Sequence, residues 1–229
     1  MKTFDNHFIQ EMKSRLDVEL IGVASVATTT SPELRDRASS LLPGAKSVVV
    51  VGKEIYAEVV SLLKPSKEAG ELERGELLVT HADYLNGRLT RAVHELAQLF
   101  REEGYRSLPL SAVGPTDQRY LTSLLSYKHA CQLAGLGTIG RHSLLITPEF
   151  GPRQRLACLL TDATLEVSLL TEKDYCMNCD ACIKECPAHA LQVPAPGEIY
   201  SMNKFACRTC RQAGLTCGVC MRACNDAIG

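Results

Sequence analysis

The chain has 229 residues, a formal net charge of −1 and a hydrophobic content of 45%, values typical of a globular protein with one large domain or a domain plus an appendage. The balanced charge provides no basic surplus of the kind that binds nucleic acid. Apolar runs such as residues 47–51 are too short to cross a membrane, and the N-terminus has no apolar signal segment. We therefore expect a cytoplasmic protein with no membrane partner and no nucleic-acid partner.

The cysteines are distributed unevenly along the chain. Of 11 cysteines, only Cys131 and Cys158 precede Cys176, and we expect these two to be buried thiols. Clustered cysteines in a reducing compartment indicate metal binding rather than disulfides. The distribution predicts a core domain over residues 1–170 and a metal-folded module over residues 171–229, which is too small to fold by hydrophobic burial alone.

The sequence of the first part of the core predicts helices mixed with strands. Asp5 or Asn6 can cap a first helix, and Ser31-Pro32-Glu33 has the cap, the proline and the acidic first turn of a second helix. A valine run at 46–52 predicts a buried central strand. The predicted elements are helices over 6–15, from 31 to the Pro43-Gly44 stop, and over 54–63, with strands over 18–26 and 46–52.

The rest of the core continues in the same way. Apolar residues recur at three- and four-residue steps from Leu85 to Phe100, which predicts a helix over 81–103 that ends at Gly104. Helices mixed with strands imply a layered α/β or α+β core. The remaining predictions are a helix over 121–134, strands over 105–110, 143–146 and 155–161, and loops over 64–75 and 112–119.

A glycine-rich stretch, Gly135-Leu136-Gly137-Thr138-Ile139-Gly140, matches Gly-x-Gly-x-x-Gly. A dinucleotide site requires a strand before this motif and a helix after it, and the predicted order here is the reverse. Two alternatives stay open: a turn that needs positive φ, or bare backbone that a flat cofactor can approach. The second alternative gives the candidate cofactor-binding residues Gly135, Gly137, Gly140, Arg141 and Arg153, although arginines near a strand start also form surface ion pairs.

Two predicted helices carry candidate proton donors. Asp83, between His81 and Tyr84, lies at the start of one, and His129 follows Tyr127 and Lys128 in the other. A solvated or structural role also accounts for each of these residues.

The strongest motif is Cys176-x-x-Cys179-x-x-Cys182-x-x-x-Cys186-Pro187, the spacing with which bacterial ferredoxins bind [4Fe–4S] clusters. In that arrangement the first three cysteines bind one cluster, and the cysteine before proline binds a different one. The motif therefore predicts a second cluster.

A second cysteine set supplies it. Cys217-x-x-Cys220-x-x-x-Cys224 aligns with Cys179-x-x-Cys182-x-x-x-Cys186, and Gly214 stands where Cys176 would be, so Cys207 or Cys210 must provide the missing ligand. Structural zinc is the alternative, but it prefers two ligand pairs separated by a dozen or more residues. The predicted ligands are Cys176, Cys179, Cys182 and Cys224 for cluster 1, and Cys186, Cys217, Cys220 and either Cys207 or Cys210 for cluster 2.

Several stretches together resemble the epoxyqueuosine reductase-like family of double-cluster iron–sulfur proteins. They are residues 42–50, His81-Ala82-Asp83-Tyr84, residues 134–140 followed by 144–148, and the cysteine module. The resemblance implies an α+β protein with a nitroreductase-like layered core and a ferredoxin-like double-cluster module. It also implies cobalamin in the core, as in queuosine enzymes and the related reductive dehalogenases, and it favours Cys207 as ligand because Cys210 falls at the family's tyrosine position.

Three features depart from the family pattern. The chain stops five residues after Cys224, without the helical-repeat tail that helps queuosine enzymes bind tRNA. Asp117 is an approximate counterpart of the family's acid, and Thr138 replaces the usual tryptophan. Since the charge is also balanced, we do not expect tRNA to be the substrate.

Two functional hypotheses follow. In the first, the chain is an oxidoreductase in which a donor protein passes electrons through two clusters to a corrinoid, favoured over FMN, that acts on a small molecule. In the second, it is a non-catalytic electron-transfer protein that docks to a redox partner. A homodimer is compatible with either, and the sequence identifies neither the substrate nor the donor.

Overall fold

A computed structural model of the chain describes residues 4–63, 71–114, 116–170, 173–212 and 217–229, with the backbone alone at 71–73. The structure mixes helices and strands throughout. In chain order the elements are α1 (Asn6–Arg15), β1 (Leu20–Ser25), α2 (Pro32–Leu41), β2 (Ser47–Glu54), α3 (Ala57–Ser61), α4 (Glu71–Glu102), β3 (Ser107–Leu110), β4 (Thr116–Asp117), β5 (Thr122–Ser123), α5 (Tyr127–Leu133), β6 (Thr138–Ile139), β7 (Leu145–Ile146), β8 (Gln154–Thr161), α6 (Ala181–Lys184), β9 (Leu191–Gln192), β10 (Ser201–Met202), α7 (Lys204–Gln212) and α8 (Val219–Ile228).

The chain divides into two compact units, each assembled from three stretches of sequence. The first unit comprises Met1–Lys53, Leu85–Leu136 and Arg155–Glu172, and the second comprises Glu54–Tyr84, Gly137–Gln154 and Lys173–Gly229. The predicted boundary at residue 170 falls close to the start of the last stretch of the second unit, which also contains two earlier stretches. The division into a core and a separately folded module stays a prediction.

A four-stranded sheet in the order β1-β2-β8-β3 lies mainly in the first unit. β1 pairs antiparallel with β2, from Leu20 opposite Gly52 to Ser25 opposite Ser47, and β3 pairs antiparallel with β8. The four valines at 48–51 in β2 are completely buried, as in interior strands that are covered on both faces. The predicted buried central strand is confirmed.

The first two helices begin where the capping signals predict. The Asp5 carboxylate accepts a hydrogen bond from the Phe8 backbone N–H at 2.9 Å. The Ser31 hydroxyl accepts one from the Leu34 N–H at 3.2 Å, and Pro32 is the first residue of α2. Caps of this kind stabilise a helix by about 1 kcal/mol each.

The hydrophobic core of the first unit contains one face of α4. Leu89, Val93, Leu96 and Phe100 on that face are completely buried, and the ring of Phe4 meets the ring of Phe100 edge-on, with the centroids 4.9 Å apart. Burial of each such side chain contributes about 1.5–3 kcal/mol. The predicted three- and four-residue periodicity of this helix is confirmed.

Three predicted helices have different bounds in the structure. α4 begins ten residues before the predicted start at 81, since Leu78 is buried like Leu85 and extends the apolar face by two turns. The helix predicted over 54–63 is reduced to α3, because β2 continues to Glu54. The helix predicted over 121–134 is reduced to α5, because Leu121 has a φ of +48° and β5 pairs with β4. Residues 64–70 of the predicted loop lie outside the described residues.

The second unit has short elements joined by loops. β6 pairs with β7 and β9 with β10, both antiparallel, and the cysteine-rich stretch contributes α6, α7 and α8. Within the described ranges, no helix combines the length and apolar composition needed to cross a bilayer.

Candidate metal centre

The loop that carries the first three cysteines is turned by two polar residues. Asn178 and Asp180 have φ angles of +55° and +58°, in the left-handed region that asparagine and aspartate tolerate better than most residues. Each lies between two cysteines of the motif, and α6 begins directly after Asp180. The loop therefore turns sharply at both residues, and its three cysteines line one cavity.

Four cysteines line one cavity in the second unit. Three come from this loop and α6, and the fourth comes from α8, far along the chain. The lining consists of Cys176, Cys179, Cys182, Cys224, Arg141, His142, Met177, Asp180 and Ile228. The four cysteines are the set that the sequence predicts for cluster 1.

Burial and mutual repulsion affect the thiols of this cavity. Burial, followed by the neighbouring thiols Cys176 and Cys179, raises the pKa of Cys182 to about 11. Burial, followed by Cys182, Cys176 and Cys179, raises the pKa of Cys224 to about 12. Several thiolates placed together need a cation, and a coordinated metal deprotonates them outright.

The other five cysteines of the module interact with one another. Burial, followed by Cys217, Cys207, Cys182 and Cys186, raises the pKa of Cys220 to about 12. Cys182 is the one member of this list from the first set, so the two sets approach each other there. The second set therefore groups the cysteines that the sequence predicts for cluster 2.

The structure brings both candidates for the eighth ligand to the second set. Cys207 and Cys210 are three residues apart on α7, so they share a helix face. The pKa of each is raised first by burial and then by other thiols, which include Cys186 in both cases. The choice between them stays a prediction in favour of Cys207, and Gly214 lies outside the described residues.

The chemistry of the donors fits an iron–sulfur group. Cysteine thiolates are the usual ligands of [4Fe–4S] clusters, and nine of the chain's cysteines fall into the two sets described above. In the parts of the chain that the structure describes, no group of three or more His, Cys, Asp or Glu side chains is arranged to hold a metal ion. The fit therefore depends on the type and grouping of the donors.

Thr138 connects the hairpin of β6 and β7 to the segment that precedes Cys176. Its hydroxyl donates to the Asp174 carboxylate at 3.2 Å and accepts from the Tyr175 N–H at 3.0 Å. The same Asp174 carboxylate accepts from the Cys176 N–H at 2.9 Å. Thr138 and Asp174 thus order the segment that leads into the cysteine loop.

Two of the predicted cofactor-binding residues contact the cysteine-rich stretch. Arg141, in the turn between β6 and β7, forms an ion pair with Asp180. Arg153 forms an ion pair with Glu54 and donates to the Asn225 side chain at 2.6 Å, next to Cys224. Arg141 therefore contacts the cysteine loop and Arg153 contacts α8, and their assignment to a flat cofactor stays a prediction.

A third arginine joins α8 to the residue that precedes Cys186. Arg222 in α8 forms ion pairs with Glu185, next to Cys186, and with Asp226 at 2.6 Å, and it donates to the Leu63 carbonyl at 2.7 Å. Its side chain is only 12% exposed. Sequence reasoning missed this residue: Asp226 lies one helical turn away, but nothing in the local pattern indicates the contacts with Glu185 and Leu63.

Two glycines of the glycine-rich stretch lie against other backbone, and the third lies against side chains. A Cβ atom on Gly135 would lie 1.9 Å from the Leu169 carbonyl oxygen, and one on Gly137 would lie 2.1 Å from that of Ile146. A Cβ atom on Gly140 would meet the Ile146 side chain at 2.7 Å. Close packing against backbone accounts for glycine at 135 and 137, where φ is also positive (+72° and +159°), and the helix α5 precedes the stretch, as predicted.

The three candidate catalytic residues lie apart in sequence, and Asp117 and His129 have partners close to them in the chain. Asp83 is exposed on α4 in the second unit. Arg119 hydrogen-bonds Asp117 and lowers its pKa. His129 Nδ1 lies 2.7 Å from the Ser126 hydroxyl, and burial, followed by Lys128, lowers the pKa of the imidazole. A catalytic role for any of the three stays a prediction.

Comparisons with known sequences identify relatives. No protein-family model matches the chain. The epoxyqueuosine reductase of Synechococcus sp. (strain CC9605) is 30% identical over 171 residues, which cover 75% of this chain and 48% of that protein. The tetrachloroethene reductive dehalogenase of Dehalobacter restrictus is 33% identical over 106 residues, 45% of this chain and 17% of that protein. The chain thus spans about half the length of the epoxyqueuosine reductase.

Solved structures share the fold. A catabolic reductive dehalogenase in complex with 3-bromo-4-hydroxybenzoic acid superposes with a TM-score of 0.68 at 19% identity, covering 94% of this chain and 31% of that chain. An epoxyqueuosine reductase from Streptococcus thermophilus superposes with a TM-score of 0.58 at 16% identity, covering 98% of this chain and 66% of that chain. The mixed α/β fold is therefore the one found in reductive dehalogenases and epoxyqueuosine reductases.

The sequence matches distinguish between the two groups of proteins that share this fold. The chain is a homologue of the epoxyqueuosine reductases, at about 30% identity over three-quarters of its length. The resemblance predicted from its motifs is confirmed.

Proposed function

We propose that the chain is the electron-transferring part of a reductase and binds two [4Fe–4S] clusters. One observation carries the proposal: four cysteines from two distant segments line a single cavity. They are the combination expected for a two-cluster ferredoxin, in which the last cysteine of each motif binds the cluster of the other motif. The remaining module cysteines form the second set. The homology with epoxyqueuosine reductases supports a reductase over an isolated carrier.

The residues of the chain would have distinct tasks in this function. The thiolates of the two sets hold the clusters, which when bound supply one-electron transfer. Thr138, Arg141, Arg153 and Arg222 fix the loops and helices from which those thiolates project. Cys182 and Cys224 are buried, whereas Cys176 is half-buried and Cys179 is exposed, so one side of the first set faces solvent.

For the remainder of the chain we propose a nitroreductase-like core that holds a corrinoid in preference to FMN. The support is a fold shared with a reductive dehalogenase whose structure was described in terms of B12-dependent dehalogenation. The ferredoxin-like nature of residues 171–229, a separate donor protein, a cytoplasmic location and a small-molecule substrate belong to the same proposal. An epoxyqueuosine reductase has been solved with a tRNA stem loop, so a tRNA stem loop is the competing substrate to test.

Anaerobic purification with iron and sulfide analysis tests the two-cluster proposal. We expect about eight iron and eight sulfide per chain. Replacing one ligand from each set, in Cys224→Ser and Cys186→Ser, should each disturb one cluster and leave about four iron. Cys158→Ala is the matched control, because Cys158 is a buried cysteine outside both sets, and it should keep eight. Zinc in place of iron, or full iron content in Cys224→Ser, would contradict the proposal.

Binding of the core cofactor is a separate measurement. Cobalamin and FMN are each added to the cluster-loaded protein, and binding is followed by the change in visible absorption. Tight binding of cobalamin is the expected result, whereas binding of FMN alone would identify FMN as the cofactor of the core. With two clusters present and neither cofactor bound, the chain would instead be an electron-transfer protein that docks to a redox partner.

A further inference from the structure

Arg141 brings a fixed positive charge to the cavity of the first cysteine set. The residue lies in the turn between β6 and β7, where the Ser143 N–H donates to the Gly140 carbonyl at 2.8 Å and the Gly140 N–H donates to the Leu144 carbonyl at 2.9 Å. Its side chain is 21% exposed and lines the cavity with Cys176, Cys179, Cys182 and Cys224. The hairpin therefore holds the guanidinium at the wall of the site.

The partner of Arg141 belongs to the cysteine loop itself. Asp180 stands between Cys179 and Cys182 in the left-handed conformation, lines the same cavity and is 28% exposed. Its Oδ1 atom accepts a hydrogen bond from Arg141 Nη1. Two opposite charges therefore lie beside the same four thiols, and each can be removed separately.

We propose that Arg141 and Asp180 set the reduction potential of the cluster held by the first set, with Arg141 raising it and Asp180 lowering it. The inference rests on the proposed function. Reduction adds one electron, here from dithionite, to an already anionic cluster. A nearby cation stabilises the added negative charge and a nearby anion destabilises it, most strongly where water is largely excluded.

A purely structural ion pair predicts something different. If the pair only held the loop, removing either partner would break the same contact, and both changes would alter the cluster in the same direction. An electrostatic role predicts shifts of opposite sign. It also predicts that Arg141→Lys, which keeps the charge and loses the planar guanidinium, has a potential close to that of the unchanged protein.

The test is a potentiometric titration of the full chain with both clusters loaded, followed by electron paramagnetic resonance. We expect Arg141→Gln to lower one midpoint potential, Asp180→Asn to raise the same one, and the second cluster to shift less. Arg106→Gln is the control, since Arg106 forms an ion pair with Asp162 at 2.8 Å in the first unit. Unchanged potentials in both variants, or shifts in the same direction, would overturn the inference.

The measurement also separates this inference from the proposed function. Absence of iron in the unchanged protein would refute the function, and with it the inference. Clusters whose midpoint potentials stay the same in both variants would refute the inference alone. Iron content is measured for each variant first. If Arg141→Gln does not retain its cluster, Asp180→Asn decides alone: an upward shift supports the inference, and a downward shift or none overturns it.

Discussion

Gly135 offers a quantitative test of why the glycine-rich stretch contains glycine. Its φ is +72°, and a Cβ atom would lie 1.9 Å from the Leu169 carbonyl oxygen. Gly104 has a similar φ of +86°, with no heavy atom within 4 Å of the corresponding Cβ position. The two glycines therefore share the backbone requirement and differ in the steric one.

Alanine at these positions should separate the two costs. In Gly104→Ala the only cost is that of alanine in the left-handed conformation, about 1 kcal/mol of stability. Gly135→Ala bears that cost plus the displacement of a backbone carbonyl, which no side-chain rotation can relieve, and an overpacked site of this kind costs about 1–3 kcal/mol more. We expect total losses of about 1 kcal/mol for Gly104→Ala and about 2–4 kcal/mol for Gly135→Ala.

Urea unfolding followed by far-UV circular dichroism measures these losses. Both glycines belong to the first unit, so the transition of that unit gives both values, and a constant slope shows that the comparison is valid. Equal losses for the two variants would refute the packing explanation. A stable Gly135→Ala protein that fails to bind cobalamin or FMN would instead favour the approach of a flat cofactor.

Three further outcomes follow from the described contacts. Phe100→Ala should lower the free energy of unfolding by about 3–5 kcal/mol in the same urea assay, because it empties a completely buried site; a loss below about 1 kcal/mol would contradict the described core. Arg222→Met should lower the free energy of unfolding by about 2 kcal/mol, since Glu185 is 36% exposed and water partly screens the pair. Lys184→Met, at the aligned and exposed position of the first motif, is the control and should change stability little. Equal effects of the two substitutions would contradict a special role of Arg222. Burial lowers the pKa of His129 below its ordinary value of 6.5, so the unfolded chain takes up the proton first as the pH falls through 6.5, and stability should decline toward the lower folded pKa. His129→Gln should flatten that decline in unfolding measured from pH 7.5 to 5, and an unchanged pH profile would rule out this contribution.

Features specified by a few neighbouring residues could be predicted from the sequence. Asp5 and Ser31 cap their helices through backbone N–H groups three residues away. The valine run of β2 is buried because its pattern has no polar face to turn to solvent. The cysteine spacing likewise predicts which four thiols line one cavity, because in the ferredoxin pattern the last cysteine of each motif binds the cluster of the other motif.

Features that depend on distant partners could not be predicted in the same way. Arg153 is bound by Glu54 and Asn225, and Arg141 by Asp180; an arginine gives no local sign of which carboxylate it will meet. The helix predicted over 121–134 is wrong at its start for a different reason, because the short hairpin of β4 and β5 overrides the helical pattern of its first residues. Long-range contacts decide the arginine pairs, and a local hairpin decides where α5 begins.

The division of the chain has a consequence for biosynthesis. Each compact unit is built from three separated stretches, so a ribosome completes neither unit before most of the chain has been made. The loop from Cys176 to Cys182 is synthesised well before α8 supplies Cys224 to the same cavity. We therefore expect iron delivery to follow translation, and a nascent chain stalled before α8 should expose its first thiols to oxidation and to competing metals.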